Sequence, residues 1–467
     1  MSRLPVRALQ RFSSTFTAKS APSKAHLHQP LPDNSFPQGY LLTGTHAGVK
    51  KKAGVLDLGL IISTTEQPAS AAACFTRNAF KAAPVVVSDE VLSKNRGRAR
   101  AIVVNSGCAN AVTGRQGMED AWTMVRETDA LIPHNTPTFE NQTLVMSTGV
   151  IGQTLPIAKI VEAIRLQGKP ESSLGSNFDA WERASKAFMT TDTFPKLRSR
   201  AFTINGIEFK LAGMDKGAGM IHPDMGPAST SFAGLHATLL GCILTDAAVS
   251  PRSLQSTLTY AVERSFNSIS VDGDMSTNDT IVVLANGAAA SAVDGQVIEI
   301  DEETDKDGYE IFKKELTSFA AELAQLVVRD GEGATKFVAV HVKGAPTFED
   351  AHRIASTIST SALVKTALYG EDANWGRILA ATGSVPVSRL DPARVSVTFL
   401  PSDNTASLPV LVNGEPEIVD EARAKEILSQ TDFGICVDLG NIGTEEATYW
   451  TCDFSYEYVR INGDYRS

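Results

Sequence analysis

The chain has 467 residues, of which 43% are hydrophobic, so it is long enough to form two packed cores. Its formal net charge of −10 argues against a nucleic-acid partner, because an acidic protein gains nothing from contact with phosphates. The five cysteines include no CxxC pair and the histidines no HExxH motif, so we expect neither a disulfide framework nor a bound metal.

The N-terminal segment 1–24 has the composition of a mitochondrial transit peptide. It carries five basic residues and five serines, and the first acidic residue of the chain is Asp33. Several of its apolar residues can share one side of a helix, which is typical of such leaders. We therefore predict import into the mitochondrial matrix, with a plain basic tail as the alternative. The chain has no apolar run of the roughly 18 residues that a membrane span needs, so we expect no membrane association.

Strands and helices alternate after this leader. The predicted strands, in chain order, are 55–62, 101–105, 143–146, 239–247, 337–342, 395–399, 434–439 and 448–461. Helices are predicted after Pro156, Ser250 and Thr347, and over the apolar stripe 312–326. Breaks near 344–346 and 383–386 indicate a smaller C-terminal lobe at about 345–445. The mixture predicts a layered α/β (α+β) fold.

One loop leads directly into a buried strand, with a threonine at the junction. Segment 226–234 is rich in Gly, Pro, Ser and Thr, and the apolar run begins at Leu239. The Thr238 hydroxyl could attack the carbonyl of Ala237, and water could then cleave the resulting ester. The new α-amine, with an ordinary pKa of about 7.7–8.0, could serve as base for the hydroxyl beside it. The pattern alone is weak, because threonine commonly begins a strand.

Many ordered motifs resemble one family. They are Lys216 to Pro223, Ala237 to Leu240, Thr245 to Ala247, Val104 to Ala111, Ser147 to Gly152, Thr190 to Thr193, Val271 to Asp279, Asp330 to Lys336 and Gly370 to Arg377. From about Gly39 to Ser467 the chain is similar to the bifunctional ornithine acetyltransferases, also called glutamate N-acetyltransferases. The resemblance implies an αββα sandwich with a smaller C-terminal lobe.

The resemblance also implies an activity and an assembly. The chain is expected to cut itself into an alpha chain, 25–237, and a beta chain, 238–467, which assemble as a heterotetramer of two of each. It is expected to move acetyl from N2-acetyl-L-ornithine to L-glutamate in arginine biosynthesis, by a ping-pong mechanism. Acetyl-CoA is expected as a second acetyl donor, and no cofactor is implied.

Site residues follow from the same resemblance. Thr238 is implied as the nucleophile, Ala237–Thr238 as the cleavage site, and Thr148 with Gly149 as the oxyanion hole. A glycine after an apolar strand lets a backbone N–H face a pocket, and the hydroxyl beside it adds a second donor. The implied substrate-binding residues are Thr190, Lys216, Thr238, Glu332, Asn462 and Ser467. Lys216 suits a substrate carboxylate, and Glu332 suits the ornithine amine.

Several alternatives remain open at this point. Thr191 can replace Thr190. Residues 226–236 lengthen the loop before the cut, as in fungal members, and within this loop Thr230 is a rival nucleophile, although no apolar strand follows it. A related self-processing aminopeptidase, or a binding protein that stays uncut, are the alternative functions.

Overall fold

The computed structural model describes residues 21–132, 139–227, 239–290, 292–293 and 296–463. The strands are β1 (Tyr40–Thr45), β2 (Leu58–Ser63), β3 (Ala69–Thr76), β4 (Arg98–Ala99), β5 (Ala101–Cys108), β6 (Thr143–Val150), β7 (Lys196–Ile204), β8 (Ile207–Lys216), β9 (Met225–Pro227), β10 (Leu240–Thr245), β11 (Ile269–Ser270), β12 (Thr280–Ala285), β13 (Ala292–Val293), β14 (Gln296–Val297), β15 (Phe337–Ala345), β16 (Ser396–Pro401), β17 (Leu408–Val412), β18 (Glu415–Pro416), β19 (Asp432–Asp438) and β20 (Glu445–Cys452).

The helices alternate with these strands. They are α1 (Ala83–Lys94), α2 (Gly114–Asp129), α3 (Ile157–Leu166), α4 (Phe178–Phe188), α5 (Pro251–Glu263), α6 (Lys306–Arg329), α7 (Phe348–Thr360), α8 (Ala362–Gly370), α9 (Trp375–Gly383), α10 (Glu421–Ser429) and α11 (Tyr456–Gly463). Within the described ranges, none of them combines the length and the apolar character that crossing a membrane requires.

Two sheets share one core, and helices cover their outer faces. The first sheet has the order β1-β2-β5-β6, and the second has β4-β3-β12-β10-β8-β7, with β9 beside β3. Alternation along the strands explains the layers: Val104 and Cys242 pack between the sheets. Val103 faces α2 and α3, and Ile243 faces α5 and α6. The result is the four-layer αββα arrangement, which confirms the predicted fold class.

A third sheet has its own core near the C-terminus. Its order is β11-β20-β15-β19-β16-β17-β18. Residues from α7, α8, α9 and α10 pack with its strands in one cluster, which includes Ile354, Ile427 and Val340. The short strand β11 follows α5 and pairs in parallel with β20, so it connects this sheet to the sandwich.

Most of the predicted elements are present, but one prediction is wrong in its second half. The strand expected over 448–461 ends at Cys452, and α11 occupies the residues that follow. Ser455 Oγ accepts the N–H of Tyr458 at 3.2 Å, which caps the start of this helix. The first predicted strand also begins later, at Leu58. The bounds of the C-terminal lobe remain a prediction.

Three strand termini meet at one end of the sandwich. Strand β10 runs antiparallel to β8 and parallel to β12, so Leu240 is paired with both Lys216 and Thr280. The start of β10 therefore lies beside the end of β8. This meeting point positions the candidate site.

We expect Gly44→Ala to destabilise the sandwich. A Cβ at this position of β1 would lie 1.9 Å from the carbonyl oxygen of Arg183 in α4, so the helix would have to move. The expected loss in the free energy of unfolding is about 1–3 kcal/mol, measured by denaturant titration. Gly383→Ala is the control, because no atom lies within 4 Å of the added Cβ there. Equal unfolding midpoints for the two variants would contradict the packing described here.

Candidate active site

A cavity of about 370 Å³ opens where β6, β8 and the turn after α6 meet. Its lining residues are Thr148, Gly149, Val150, Ile151, Thr190, Thr191, Lys216, Gly219, Met220, Glu332 and Asn462. The fold thus brings together most of the residues implied for the site, from distant parts of the chain. Thr191 lines the cavity with Thr190, so the choice between these two stays open.

Two other cavities have similar volumes, about 380 and 400 Å³. The first lies at the end of β12 near Asn286, and the second surrounds His222 and His352. Neither is lined by a residue that the sequence implies for the site. Cavity size therefore does not distinguish the candidate site, whereas the lining residues do.

Thr148 and Gly149 lie near the end of β6, which runs parallel to β5. Gly149 has a φ of +128°, and an added Cβ would lie 2.4 Å from the carbonyl carbon of Gly107 on β5. Only glycine fits this close approach of two strands. Because Gly149 also lines the cavity, its backbone can be reached by a ligand.

Lys216 is the last residue of β8 and is 1% exposed. Its Nζ donates a hydrogen bond of 3.1 Å to Oγ1 of Thr148. An ammonium group can only donate, so the Thr148 oxygen accepts and its own hydrogen must point elsewhere. Burial lowers the pKa of Lys216, and the nearby carboxylate of Asp192 opposes that effect.

Asp192 fixes two walls of the cavity through backbone contacts. Its Oδ2 accepts the N–H of Thr190 at 2.8 Å, and its Oδ1 accepts the N–H of Gly217 at 2.8 Å. Gly217 directly follows Lys216, so one carboxylate holds both the Thr190 turn and the end of β8. Burial opposes ionisation of Asp192, but Lys196 and Lys216 lower its pKa below the ordinary value.

Lys196 connects this carboxylate to a third wall. Its Nζ donates to Oδ1 of Asp192 and to Oδ2 of Asp330, at 2.6 Å each, and all three side chains are fully buried. Burial would lower the pKa of Lys196, but the two carboxylates raise it. Asp330 also accepts the N–H of Thr193 at 2.9 Å and lies two residues before Glu332. We call Asp192, Lys196 and Asp330 the buried triad.

Glu332 reaches the cavity from the turn after α6. Its backbone N–H donates to the carbonyl of Ala218 at 2.7 Å, and its Oε2 accepts from Nδ2 of Asn462 at 2.9 Å. Gly219 allows this approach, because a Cβ there would lie 2.4 Å from Oε2 of Glu332. Asn462 belongs to α11, so the helix that replaces the predicted strand is what brings this residue to the site.

Ala237, Thr238 and Ser467 lie outside the described residues, as does the rival Thr230. The first described residue after 238 is Leu239, which is fully buried. Its N–H donates to Oδ1 of Asp279 at 2.6 Å, and its carbonyl accepts the N–H of Thr280 at 3.0 Å. The chain therefore enters β10 at the same end of the sheet as Lys216.

The buried triad was not predicted as part of the site. Asp192 and Asp330 lie inside the motifs 190–193 and 330–336 that carry the family resemblance, so their positions offered a signal. Lys196 lies in none of these motifs. Its spacing of four residues from Asp192 suggests a helical pair, although it begins strand β7.

We expect Lys196→Met to destabilise the chain strongly. The change leaves two buried carboxylates facing each other without their shared cation, a loss that typically costs about 3–5 kcal/mol of unfolding free energy. Lys343→Met is the control, because the Lys343–Asp438 pair is half exposed and such pairs contribute about 1 kcal/mol or less. Denaturant titration of both variants is the measurement. A Lys196→Met midpoint equal to that of the control would refute the stabilising role of the triad.

The chain is similar to known proteins along nearly its whole length. The ArgJ family model matches residues 41–467. The mitochondrial arginine biosynthesis bifunctional protein ArgJ of Coprinopsis cinerea is 73% identical, covering 98% of this chain and 98% of that protein. Its counterpart in Cryptococcus neoformans var. neoformans serotype D is 54% identical over 99% of this chain and 97% of that protein.

One solved structure is that of an ornithine acetyltransferase from Mycobacterium tuberculosis, complexed with ornithine. It is 33% identical, with a TM-score of 0.34, and the match covers 41% of this chain and 95% of that chain. The relatives confirm the predicted family, the assignment as an enzyme of arginine biosynthesis and the mitochondrial location. The chain belongs to the ArgJ family.

Proposed function

We propose that this enzyme transfers acetyl from N2-acetyl-L-ornithine to L-glutamate, after cutting its own chain between Ala237 and Thr238. The products are L-ornithine and N-acetyl-L-glutamate. In the proposed ping-pong cycle, acetylornithine acetylates Thr238, ornithine leaves, and glutamate accepts the acetyl group. The bifunctional names of the relatives support a second activity, in which acetyl-CoA acetylates glutamate.

The observation that carries this proposal is the meeting of Lys216, Thr148 and Leu239 at one end of the sandwich. Lys216 donates to Thr148 across the cavity, and Leu240 pairs with Lys216. Leu239, the residue that follows the proposed nucleophile, is anchored at the strand end beside them. A nucleophile at the start of β10 would therefore be delivered to the cavity that holds the implied oxyanion and substrate residues.

The chemistry needs neither a metal nor a cofactor. Once freed, the Thr238 α-amine can take the proton of its own hydroxyl, because its ordinary pKa of about 7.7–8.0 lies near working pH. Attack on the acetyl carbonyl places negative charge on its oxygen. The Thr148 hydroxyl and the Gly149 N–H are proposed to receive that charge, and each such donor typically contributes about 2.7–4 kcal/mol.

Charges in the cavity support amino-acid substrates. Lys216 is proposed to bind the α-carboxylate that acetylornithine and glutamate share, and Glu332 to bind the side-chain amine of acetylornithine. Thr190 and Asn462 line the same cavity and are proposed to hydrogen-bond the substrate, as is Ser467. A peptide does not present both a free α-carboxylate for Lys216 and a side-chain amine for Glu332 at the group that reacts. This difference favours the transferase over an aminopeptidase.

The assembly and processing belong to the same proposal. After removal of the leader 1–24, cleavage would leave an alpha chain, 25–237, and a beta chain, 238–467, in a heterotetramer of two of each. Strand β8 would belong to the alpha chain and β10 to the beta chain, and these two strands are direct neighbours in one sheet. Their ladder can hold the two chains together after the cut.

We expect Thr238→Ala to abolish both self-cleavage and acetyl transfer, because the variant lacks the hydroxyl. Denaturing gels should show two chains for the wild type and one for the variant, and mass spectrometry should find a wild-type fragment that begins at Thr238. Wild-type kinetics should give parallel double-reciprocal lines. Thr230→Ala is the control and should be cut and active. An intact wild-type chain with full activity would contradict the proposal, and hydrolysis of peptides would favour the aminopeptidase.

We expect Glu332→Gln to raise the KM for acetylornithine more than the KM for glutamate. The lost carboxylate is proposed to pair with an amine that glutamate lacks, and a charged hydrogen bond typically contributes about 1.5–3 kcal/mol, roughly 10- to 100-fold. Initial rates with either substrate varied are the measurement. Glu349→Gln, outside this cavity, is the control. Equal changes in both KM values would exclude the proposed role of Glu332.

A further inference from the structure

Asp279 is a buried carboxyl group beside the first described residue after the proposed cut. Its Oδ1 accepts the N–H of Leu239 at 2.6 Å. Asp279 is 1% exposed, and its Oδ2 has no hydrogen-bond partner among the described residues. One oxygen thus holds the chain next to the cut, and the other makes no hydrogen bond of normal geometry, although the Ser276 hydroxyl lies close enough to the carboxyl to lower its pKa. A buried polar atom left without a partner is costly, and such atoms in native proteins call for an explanation.

The surroundings of this carboxyl favour its protonated form. Burial raises the pKa of Asp279 well above its usual range, and the Leu239 N–H, Lys216 and the Ser276 hydroxyl only partly oppose this effect. A carboxyl that keeps its proton near neutral pH can act as a general acid. Breaking an amide bond requires such a group, because the departing nitrogen must gain a proton.

We propose that Asp279 is the general acid of self-cleavage and gives its proton to the backbone nitrogen of Thr238. The inference deepens the proposed function and rests on it, since it assumes the cut between Ala237 and Thr238. The contact with Leu239 is the geometric basis, because only Thr238 separates that residue from the bond that breaks.

Every proton that moves in this step is accounted for. The Thr238 oxygen bonds to the carbonyl carbon of Ala237, and the bond between that carbon and the Thr238 nitrogen breaks. Asp279 supplies the proton that the nitrogen gains, and the proton released by the Thr238 hydroxyl restores the carboxyl. Water then adds to the ester: its hydroxyl goes to the Ala237 carbon, and its remaining proton goes to the Thr238 oxygen. The Asp279 carboxyl ends as it began.

Asp215 provides a matched control within the same sheet. It is fully buried, neither of its carboxyl oxygens has a hydrogen-bond partner among the described residues, and burial raises its pKa as well. It lies on β8 opposite Gly241, whereas the Asp279 carboxyl holds Leu239. Replacing Asp215 therefore tests the cost of losing a buried carboxyl without removing the proposed proton donor.

The experiment follows cleavage of the full chain in cell-free synthesis, with labelled protein sampled over time on denaturing gels. Asp279→Asn keeps an oxygen that can accept the Leu239 N–H but has no carboxyl proton. We expect its cleavage to slow by at least about 100-fold, the usual contribution of general acid catalysis, while Asp215→Asn is cut like the wild type. Melting temperatures report folding, and Asp279→Ser decides the question if Asp279→Asn does not fold.

Each result has a defined meaning. Cleavage of Asp279→Asn at the wild-type rate, with the wild type cut before Thr238, overturns this inference and leaves the proposed function standing. Equal slowing of the Asp279 and Asp215 variants also overturns it, because loss of any buried carboxyl would then suffice. A wild-type chain that stays uncut overturns the proposed function and this inference together.

Discussion

The candidate site depends on one buried cation held between two carboxylates. Lys196 has no access to solvent, and a lone buried ammonium is too costly to keep. Asp192 and Asp330 supply the compensating charge at 2.6 Å each. Because these carboxylates also receive backbone N–H groups, the positions of their chain segments are fixed together. The cavity is thus formed by electrostatics within the fold before any substrate binds.

The same contacts would hold the two pieces of a cut chain together. Asp192 and Lys196 precede the proposed cut, and Asp330 follows it, so the buried triad would join the two pieces. The ladder between β8 and β10 would do the same, with Leu240 opposite Lys216. Breaking one peptide bond in front of β10 removes none of these hydrogen bonds. The proposed cut would therefore cost the native sandwich little stability, and it would create a new amine.

Sequence patterns predicted elements whose periodicity is strong, and failed where residue propensity and helix capping favour different structures. The stripe from Phe312 to Leu326 marks α6 because five apolar side chains recur at helical spacing. Residues 456–461 include Tyr456, Tyr458, Val459 and Ile461, residue types that favour a strand, but the Ser455 hydroxyl caps the N–H of Tyr458 and starts α11. A single cap therefore outweighed the strand propensity of these residues.

The site was predictable in part for a related reason. The family resemblance implies Glu332 and Asn462 as site residues, but their contact depends on α11, which the strand-favouring residues of that segment conceal. The triad could not be read from the sequence, since Lys196 becomes informative only when Asp330 is folded against it, 134 residues away. A charge pair between residues far apart in the chain leaves no periodic pattern in the sequence.

The charges around Lys216 act on its pKa in opposite directions. Two carboxylates and one ammonium give the buried triad a net negative charge when all three are ionised. Asp192, which touches the backbone next to Lys216, raises the pKa that burial lowers, while Lys196 acts in the opposite direction. The charge on Lys216 in turn directs the Thr148 hydroxyl, since an ammonium must donate to it. The hydrogen bond from Lys216 thus sets the direction of a donor inside the cavity.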